Sequence, residues 1–321
     1  MSSPNFMEFA AAAAKGDLST TYLEGGDAGR GILPASVAEE FIQMFALESD
    51  FLQEMNLQTM RAPEHYLDVA GFNGRVARKD VPGVATTEDQ RSSLTISREP
   101  LDAKWFRAAS FLNYHVLAEN IMGPRLGEFV QRDLTRQSSF DQDETMISGD
   151  TDSATDGLDR YDGVLKQALS YTIDSSGSPA AVQDQIFYDL FQSMPKRGRR
   201  NKKEMLYCCS DSVEAAYAQW LTSNRGYTTA SYYEHKDPGD RIKYQGIRVK
   251  PFAAWPDTHV MLVDRRNCCP GIFIGMFLER FRDIDAGVDK YILRWASDIA
   301  FAEPELVRVW YGINLGVSAS L

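Results

Sequence analysis

Carboxylates are the densest group of residues in this sequence that could do chemistry. Five aspartates lie close together at Asp150, Asp152, Asp156, Asp159 and Asp162. The calcium loop of the EF-hand needs oxygen ligands at its positions 1, 3 and 5, Gly at 6 and Glu at 12. Counted from Asp152, Ala154 stands at position 3 and Gly163 at position 12, so two ligand positions fail. We therefore predict a solvated loop, and a metal-dependent soluble α/β enzyme is kept as a lesser alternative.

The four cysteines form two adjacent pairs, Cys208-Cys209 and Cys268-Cys269. Zinc sites usually separate their sulfurs by a few residues, so that both can turn toward one metal. Adjacent side chains of a strand point to opposite faces instead. The pairs are therefore predicted to be buried free thiols in a reducing compartment, without a metal.

Motifs for catalysis or cofactor binding are absent from the sequence. It contains no Gly-Lys-Ser/Thr phosphate loop, no His-Glu-x-x-His and no Gly-x-Ser-x-Gly. Its four histidines are scattered and lack the spacing of a metal site or a nucleophile: His65, His115, His235 and His259. We predict no catalytic residues, no cofactor and no enzymatic activity.

One run of basic residues stands out in the second half of the chain. It consists of Lys196, Arg197, Arg199, Arg200, Lys202 and Lys203. Such a run can bind phosphate, yet the whole chain has a net charge of −11, which disfavours attraction to a phosphate backbone. We predict a charged loop that faces solvent or an acidic neighbouring subunit, with nucleic acid as the alternative partner.

Length and composition are those of a globular protein. The chain has 321 residues, of which 44% are hydrophobic and 25% charged, enough for one large domain or two joined ones. No apolar run approaches the roughly 18 residues that span a membrane. The N-terminus lacks the basic and apolar regions of a signal peptide, so we expect the protein to be made in the cytoplasm and to stay there.

An extended region lies between residues 61 and 107. His65–Ala70 and Gly74–Lys79 are predicted strands around a turn at Gly71–Gly74, and the chain is extended again from Leu94 to Trp105. A two-stranded ribbon is only marginally stable alone in water. We therefore expect another subunit to supply its packing surface.

Helical spacing predicts two elements around this region. Residues 1–33 have few large apolar side chains and are predicted to be an arm that a partner orders. A helix is predicted from Pro34 to Leu47, and a long one from Arg125 to about Ile147. The long helix is expected to bury one apolar stripe, formed by Leu126, Phe129, Val130 and Leu134, and to expose a polar face that includes Gln131.

The second half alternates helices and strands. A helix is predicted to begin at Ser178-Pro179, and another one, from Ser210 to Leu221, to be capped by Asp211 with Glu214. Strands are predicted at Met205–Cys209, Ile247–Phe252, Val260–Val263, Ile272–Leu278, Tyr291–Phe301 and Leu306–Tyr311.

The order of these elements resembles that of the major capsid proteins of tailed bacteriophages, a fold shared with encapsulin shells and the floor of herpesvirus capsids. The resemblance is carried best by Leu94 to Leu165: an extended strand, the helix after Pro124, and a loop with Gly149-Asp150 and Gly157-Leu158. A helix, basic turn, strand and capped helix from Phe191 to Leu221 resemble the family's axial (A) domain.

The resemblance implies an α+β fold with an N-arm, an extended E-loop, a long spine helix, a peripheral (P) domain and an A-domain. The implied divisions are the N-arm 1–33, an N-terminal helix region 34–60, the E-loop 61–107, the P-domain with spine helix 108–165, the A-domain 166–263 and the closing strands of the P-domain 264–321.

For function, the resemblance implies self-assembly as hexamers and pentamers into an icosahedral virion shell around double-stranded DNA. Implied partners are other copies, a separate scaffolding protein, a portal and a decoration protein, with no membrane and no sequence-specific DNA binding. Assembly would take place in the cytoplasm of the bacterial host. An encapsulin-like compartment is the alternative.

Overall fold

The computed structural model describes residues 48–72, 77, 94–113, 125–225, 242–273, 277–283 and 286–315. Its α-helices are α1 (Asp50–Glu54), α2 (Arg125–Ser148), α3 (Val164–Gln167), α4 (Asp184–Ser193) and α5 (Asp211–Arg225). Its strands are β1 (Gln58–Met60), β2 (Glu64–Phe72), β3 (Leu94–Asp102), β4 (Lys104–Asn113), β5 (Thr172–Asp174), β6 (Ala180–Ala181), β7 (Met205–Cys209), β8 (Ile242–Tyr244), β9 (Ile247–Pro251), β10 (His259–Asp264), β11 (Cys268–Phe273), β12 (Phe277–Asp283), β13 (Val288–Phe301), β14 (Val307–Tyr311) and β15 (Ile313–Asn314). The predicted mixture of helix and sheet is confirmed.

Two sheets organise these elements. In sheet I the order is β1-β11-β13-β12, and β4 pairs with the other side of the long strand β13. In sheet II the order is β5-β14-β10-β7-β9-β8. The ribbon, formed by β2 and β3 alone, is a separate antiparallel pair. The predicted extended region is therefore confirmed where the structure describes it.

Sheet II separates two hydrophobic cores. Strand β7 is buried along its whole length, and its side chains alternate between them: Leu206 and Cys208 enter one core, Tyr207 and Cys209 the other. The first core joins sheet II to sheet I, α1 and the end of α2. The second lies under α4 and α5. A strand buried on both faces has a continuous apolar sequence, which is why β7 was predictable.

The long helix α2 buries a face that differs in part from the predicted one. Phe129 is 51% exposed and Val130 only half-buried, whereas Gln131 is buried. The buried positions of the helix upstream of its last turn are mainly polar: Gln131, Thr135, Ser138, Ser139, Gln142, Asp143 and Thr145. The stripe prediction is therefore wrong at Phe129, whereas Leu134 is half-buried and packs against the first core. Gln142 and Asp143 are buried because they hydrogen-bond Trp295, Ser297 and Ser49 across the helix.

Several local predictions are also wrong. Helix α4 begins at Asp184 and not at Ser178-Pro179, because Ala180 and Ala181 form strand β6 with β15. Helix α5 is capped by Ser210, whose hydroxyl accepts from the Val213 N–H at 3.3 Å, and not by Asp211. By contrast, the strand predicted at Ile272–Leu278 is confirmed at its two ends, which lie in β11 and β12, and residues 274–276 lie outside the described residues.

The structure also differs from the prediction in the length of the ribbon and in the sheet to which the last strands belong. Strand β2 continues through Gly71 and Phe72 and pairs with β3, so the turn predicted to start at Gly71 does not begin there. Strand β14 adds to sheet II beside β10, whereas β11 to β13 lie in sheet I. The segment 264–321 thus contributes to both sheets, and the domain divisions remain predictions. The predicted arm 1–33, the helix Pro34–Leu47 and, apart from residue 77, the strand Gly74–Lys79 lie outside the described residues.

Candidate functional site

The ribbon has one covered face and one open face. On the inner ribbon face, Leu101 is 1% exposed and packs in a small cluster with Met60, Ala103 and Ala296, and Leu67 contacts the same cluster. The outer ribbon face consists of the opposite side chains: Glu64, Tyr66, Asp68, Ala70, Ile96, Arg98, Pro100 and Asp102. All of these are exposed, and Tyr66 and Ile96 have exposures of 55% and 59%.

The centre of the outer ribbon face carries a cross-strand ion pair. Arg98 Nε lies 2.7 Å from Asp68 Oδ1, and the two side chains are 68% and 57% exposed. The pair is directly registered across β2 and β3. Because it is solvated, it contributes little to stability, on the order of 0–1 kcal/mol. The weakly held charged pair thus lies between two apolar rows, Tyr66 with Pro100 and Ala70 with Ile96, and Glu64 and Asp102 form the end of the face next to sheet I.

A carboxylate fixes the point where the ribbon leaves sheet I. Asp298 Oδ2 accepts from the Asp102 N–H at 2.6 Å, and Asp298 Oδ1 accepts from the Ile299 N–H at 2.8 Å. Asp102 is also ion-paired with Lys104. Asp298 therefore ties the end of β3 to β13, at the bend where β3 becomes β4.

Sheet I presents an open surface beyond this bend. The strand registers put the following side chains on one side of β4, β13 and β12, which we call the outward sheet face: Arg107, Ala109, Phe111, Glu279, Phe281, Lys290, Ile292 and Arg294. Phe111 and Phe281 are 63% and 60% exposed, and Lys290 Nζ lies over the Phe281 ring. The opposite side of β13 is buried, with Leu293 at 0% and Trp295 at 4% exposure.

Helix α2 covers that opposite side through a buried polar network. Gln142 Oε1 accepts from Trp295 Nε1 at 2.6 Å and from Ser297 Oγ at 2.9 Å. Gln142 Nε2 donates to the Tyr161 hydroxyl at 2.5 Å. A groove of about 990 Å³ lies beside this contact, bordered by β4, α2 and residues 155–160.

A buried carboxylate, Asp143, lies one residue beyond Gln142 on α2. Asp143 accepts from the Ser49 hydroxyl at 2.5 Å, and Ser49 in turn caps α1 through the Leu52 N–H. Burial raises the pKa of Asp143 to about 6, although its hydrogen bonds act in the opposite direction. Burial likewise raises the pKa of Asp298 to about 6.

These two carboxylates predict a pH dependence of stability. Since their pKa is higher in the folded state than in an unfolded chain, the folded state holds more protons between about pH 4 and 6. The stabilisation by protonation is complete below pH 4 and is lost as the pH rises through 6. Chemical unfolding at closely spaced pH values should therefore show a free energy of unfolding that falls across this window. The double variant Asp143→Asn/Asp298→Asn should lose that part of the slope, and an unchanged slope would contradict the assignment.

The basic run divides into bound and free side chains. Arg197 is ion-paired with Glu303 at 2.8 Å and Glu305 at 3.1 Å. Arg199 donates to the Met194 carbonyl at 2.7 Å, and Arg199 and Lys202 lie over the Phe191 ring. The remaining members are exposed, without a partner among the described residues: Lys196, Arg200 and Lys203. The loop predicted between helix and strand is present, containing a short 3-10 helix at Gly198–Arg200.

The acidic stretch forms a loop between α2 and α3. Lys166 Nζ lies 2.9 Å from Asp150 and 3.1 Å from Asp152, so a cation of the chain itself occupies that position. The part of the chain that the structure describes contains no cluster of potential metal ligands. His65 is exposed on the ribbon, His259 stacks on Tyr311, and the other two histidines lie outside the described residues.

The four cysteines are buried free thiols, as predicted. Burial raises the pKa of Cys208, Cys209 and Cys268 well above the ordinary value, so these thiols remain protonated and unreactive. Within the described residues, no helix is both long and apolar enough to cross a membrane.

Sequence reasoning found the ribbon and the basic run but missed the outward sheet face, the buried Asp143 and the half-buried Asp298. The sequence of β4 does not alternate polar and apolar residues, so it gave no signal for the sheet face. No signal in the sequence marks Asp143 or Asp298 among the other acidic residues.

Comparison with known proteins defines the fold. No family model matches the chain. A putative prophage capsid protein, YqbE, of Bacillus subtilis is 27% identical over 203 residues, and the match covers 63% of this chain and 63% of that protein.

Solved structures match over nearly the whole length. The satellite phage P4 procapsid matches with a TM-score of 0.64 at 9% identity, over 97% of this chain and 98% of that one. The SrpI encapsulin of Synechococcus elongatus matches with 0.56 at 8% identity, over 100% and 99%. The capsid of an empty GTA particle matches with 0.56 at 12%, over 97% and 100%. The chain therefore has the fold that phage capsid proteins share with encapsulins.

Proposed function

We propose that this chain, having the fold of phage capsid proteins, is the major subunit of a virion shell. Copies associate as hexamers and pentamers into an icosahedral capsid that encloses double-stranded DNA, assembled in the cytoplasm of a bacterial host. The observation that carries the proposal is the outer ribbon face, whose apolar side chains are exposed in the single chain. A marginal two-stranded ribbon needs a partner surface, and a second copy supplies one.

The mechanism is mechanical and depends on many weak contacts. Each ribbon rests on an adjacent subunit, so every copy both gives and receives a contact. When such contacts close into rings and a shell, their combined effect far exceeds that of any single one. The chain then needs no catalytic residue, in line with relatives that are named as capsid proteins.

The test is expression of the full chain, alone and together with a scaffolding protein encoded beside its gene, followed by electron microscopy. Closed particles with pentameric and hexameric units are expected. Portal and decoration proteins are further proposed partners, and their genes should lie nearby. If only monomers form under every condition, the proposal fails.

Charges placed on the outer ribbon face should prevent assembly. The double variant Tyr66→Asp/Ile96→Asp is expected to form no shells, because both apolar side chains would have to be buried against a neighbour. Its melting temperature should stay close to that of the wild type, since both residues are more than half exposed. Sedimentation velocity and calorimetry on the same samples measure the two effects.

The matched control is Ser97→Asp, which adds a charge to the same strand on its inner face, at an exposed position. This variant should still assemble. Shell formation by the double variant at the wild-type level would contradict the role given to the ribbon.

We propose that the free cations of the basic run contact an acidic surface of a neighbouring subunit. Replacing Lys196, Arg200 and Lys203 by Glu together should leave the melting temperature unchanged, since the described chain gives them no partner. Assembly, measured as the yield of particles, should fall by about tenfold. If particles form normally but retain less DNA, the run binds nucleic acid instead.

An encapsulin-like compartment is the second candidate, favoured by a match to the SrpI encapsulin that covers 100% of this chain. The contents of purified native particles discriminate between the two. Double-stranded DNA and neighbouring terminase and portal genes support a capsid. A packaged enzyme and a single enzyme gene nearby support the compartment.

A further inference from the structure

We propose that the outward sheet face receives the outer ribbon face of a second copy, with the Asp68 carboxylate of that copy held between Arg107 and Arg294. The inference rests on the proposed function. It adds which surface receives the ribbon, which ionic contact lies at the centre of that surface, and which face of the second copy is bound.

Two like charges lie side by side on the receiving surface. Arg107 and Arg294 are directly opposite each other in the antiparallel register of β4 and β13, and both side chains are exposed. Neither is ion-paired with a carboxylate within the described residues. Like charges directly across a strand pair are destabilising. A carboxylate between two guanidinium groups turns that cost into a charge-assisted contact.

The rest of the outward sheet face selects a polypeptide as the source of this carboxylate. The neighbouring row contains Ala109, Ile292 and the exposed Glu279, and the next row contains Phe111 and Phe281 on either side of Lys290. Exposed phenyl groups and a carboxylate do not suit a phosphate backbone, which is bound by Lys and Arg with few apolar contacts. They suit a polypeptide surface that combines exposed apolar side chains with carboxylates.

The outer ribbon face combines apolar side chains with three carboxylates, Glu64, Asp68 and Asp102, and with Arg98. Asp68 lies at its centre, with Tyr66 on one side and Ile96 on the other side along the ribbon. Side chains on one face of a strand repeat about every 7 Å, both in the ribbon and in the sheet. With Asp68 on the arginine row, an apolar row of the ribbon therefore lies over the Ala109 and Ile292 row, as in aligned packing of two sheets.

A second copy is the required donor. The inner ribbon face packs through Leu101 and Leu67 on Ala296 of its own β13, so the outer ribbon face points away from its own sheet. The Asp68–Arg98 pair must open on docking, which is a small cost because both groups are solvated.

A charge exchange tests the contact. Asp68→Lys and Arg294→Glu, each in the full chain, are expected to raise the concentration of half-maximal assembly by at least about tenfold, because each brings like charges together. Combining both in one chain restores one pair of opposite charges, between positions 68 and 294, in every ribbon contact, while Arg107 remains a like charge beside position 68. The combined variant should therefore assemble clearly better than either single variant without reaching the wild-type level, measured by light scattering and electron microscopy.

Controls separate this effect from folding. Ser97→Lys, on the inner ribbon face, adds one positive charge, and Arg132→Glu, at an exposed position of α2, reverses a charge as Arg294→Glu does; both should leave assembly near the wild-type level. Thermal melting verifies that each variant folds. The conservative variants Asp68→Asn and Arg294→Gln, which remove the charge without reversing it, should give smaller losses of assembly and provide a second measurement if a reversal variant does not fold.

The outcomes distinguish the inference from the proposed function. If wild-type shells form and either reversal has no effect, or the combined variant assembles no better than the single ones, the receiving surface is wrong and the capsid proposal stands. If particles of Arg294→Glu form normally but hold less DNA, the arginines bind phosphate, and the inference is again overturned. If the wild type forms no shell under any condition, the proposed function itself fails.

Discussion

Replacing Gln142 by Leu is expected to lower the free energy of unfolding by about 4 kcal/mol, since it removes the partner of three buried polar groups at roughly 1–3 kcal/mol each. Gln142 is 1% exposed and accepts from Trp295 Nε1 and Ser297 Oγ while donating to the Tyr161 hydroxyl. A leucine of similar size fills the space but makes none of these hydrogen bonds. Urea unfolding of the subunit, followed by tryptophan fluorescence, measures the loss.

Gln137→Leu is the matched control. Gln137 lies on the same helix, is exposed, and makes a single hydrogen bond to Asp141 at 3.0 Å. An exposed pair at this helical spacing is worth about 0.2–0.5 kcal/mol, so the control should stay within that range. Equal losses in the two variants would show that the buried network contributes nothing specific.

Gly163→Ala is expected to destabilise the subunit by about 3 kcal/mol or more, because a new Cβ would overlap backbone atoms that cannot move aside. That Cβ would lie 2.7 Å from the Gly149 nitrogen and 2.8 Å from the Ile147 and Met146 carbonyl oxygens. Gly163 N–H also donates to the Gly149 carbonyl at 2.9 Å, which closes the acidic loop at its base. The loss should appear in urea unfolding and as poor expression of soluble subunit.

Gly177→Ala serves as the comparison. A Cβ at Gly177 would meet nothing within 4 Å, and Gly177 has no left-handed backbone conformation. A glycine of this kind is replaced without loss, or with a gain of about 0.4–1 kcal/mol from the unfolded state. If Gly163→Ala and Gly177→Ala have the same free energy of unfolding, the backbone is not closely packed around Gly163.

Elements whose burial requires a local run of apolar residues were predictable from the sequence, whereas features that depend on contacts with distant residues were not. Strands β7 and β10 were found in the sequence because burial on both faces requires continuous apolar residues, as in Met205–Cys209. The long helix α2 was found from its length, but its buried face was not. In the sequence, Gln131 and Gln142 cannot be distinguished from an exposed glutamine. Gln142 is buried because groups of β13, such as Trp295 Nε1, hydrogen-bond its side chain.

The ribbon, with which the proposed function begins, was determined by the sequence alone. Its strands have too little apolar material to form a core, and this deficit is visible without coordinates. Only the tertiary structure decided which of its faces is open, because Leu101 packs on Ala296, almost two hundred residues further along the chain. It also decided that Arg107 and Arg294 lie side by side, since the register of β4 on β13 depends on contacts between distant segments that local patterns do not encode.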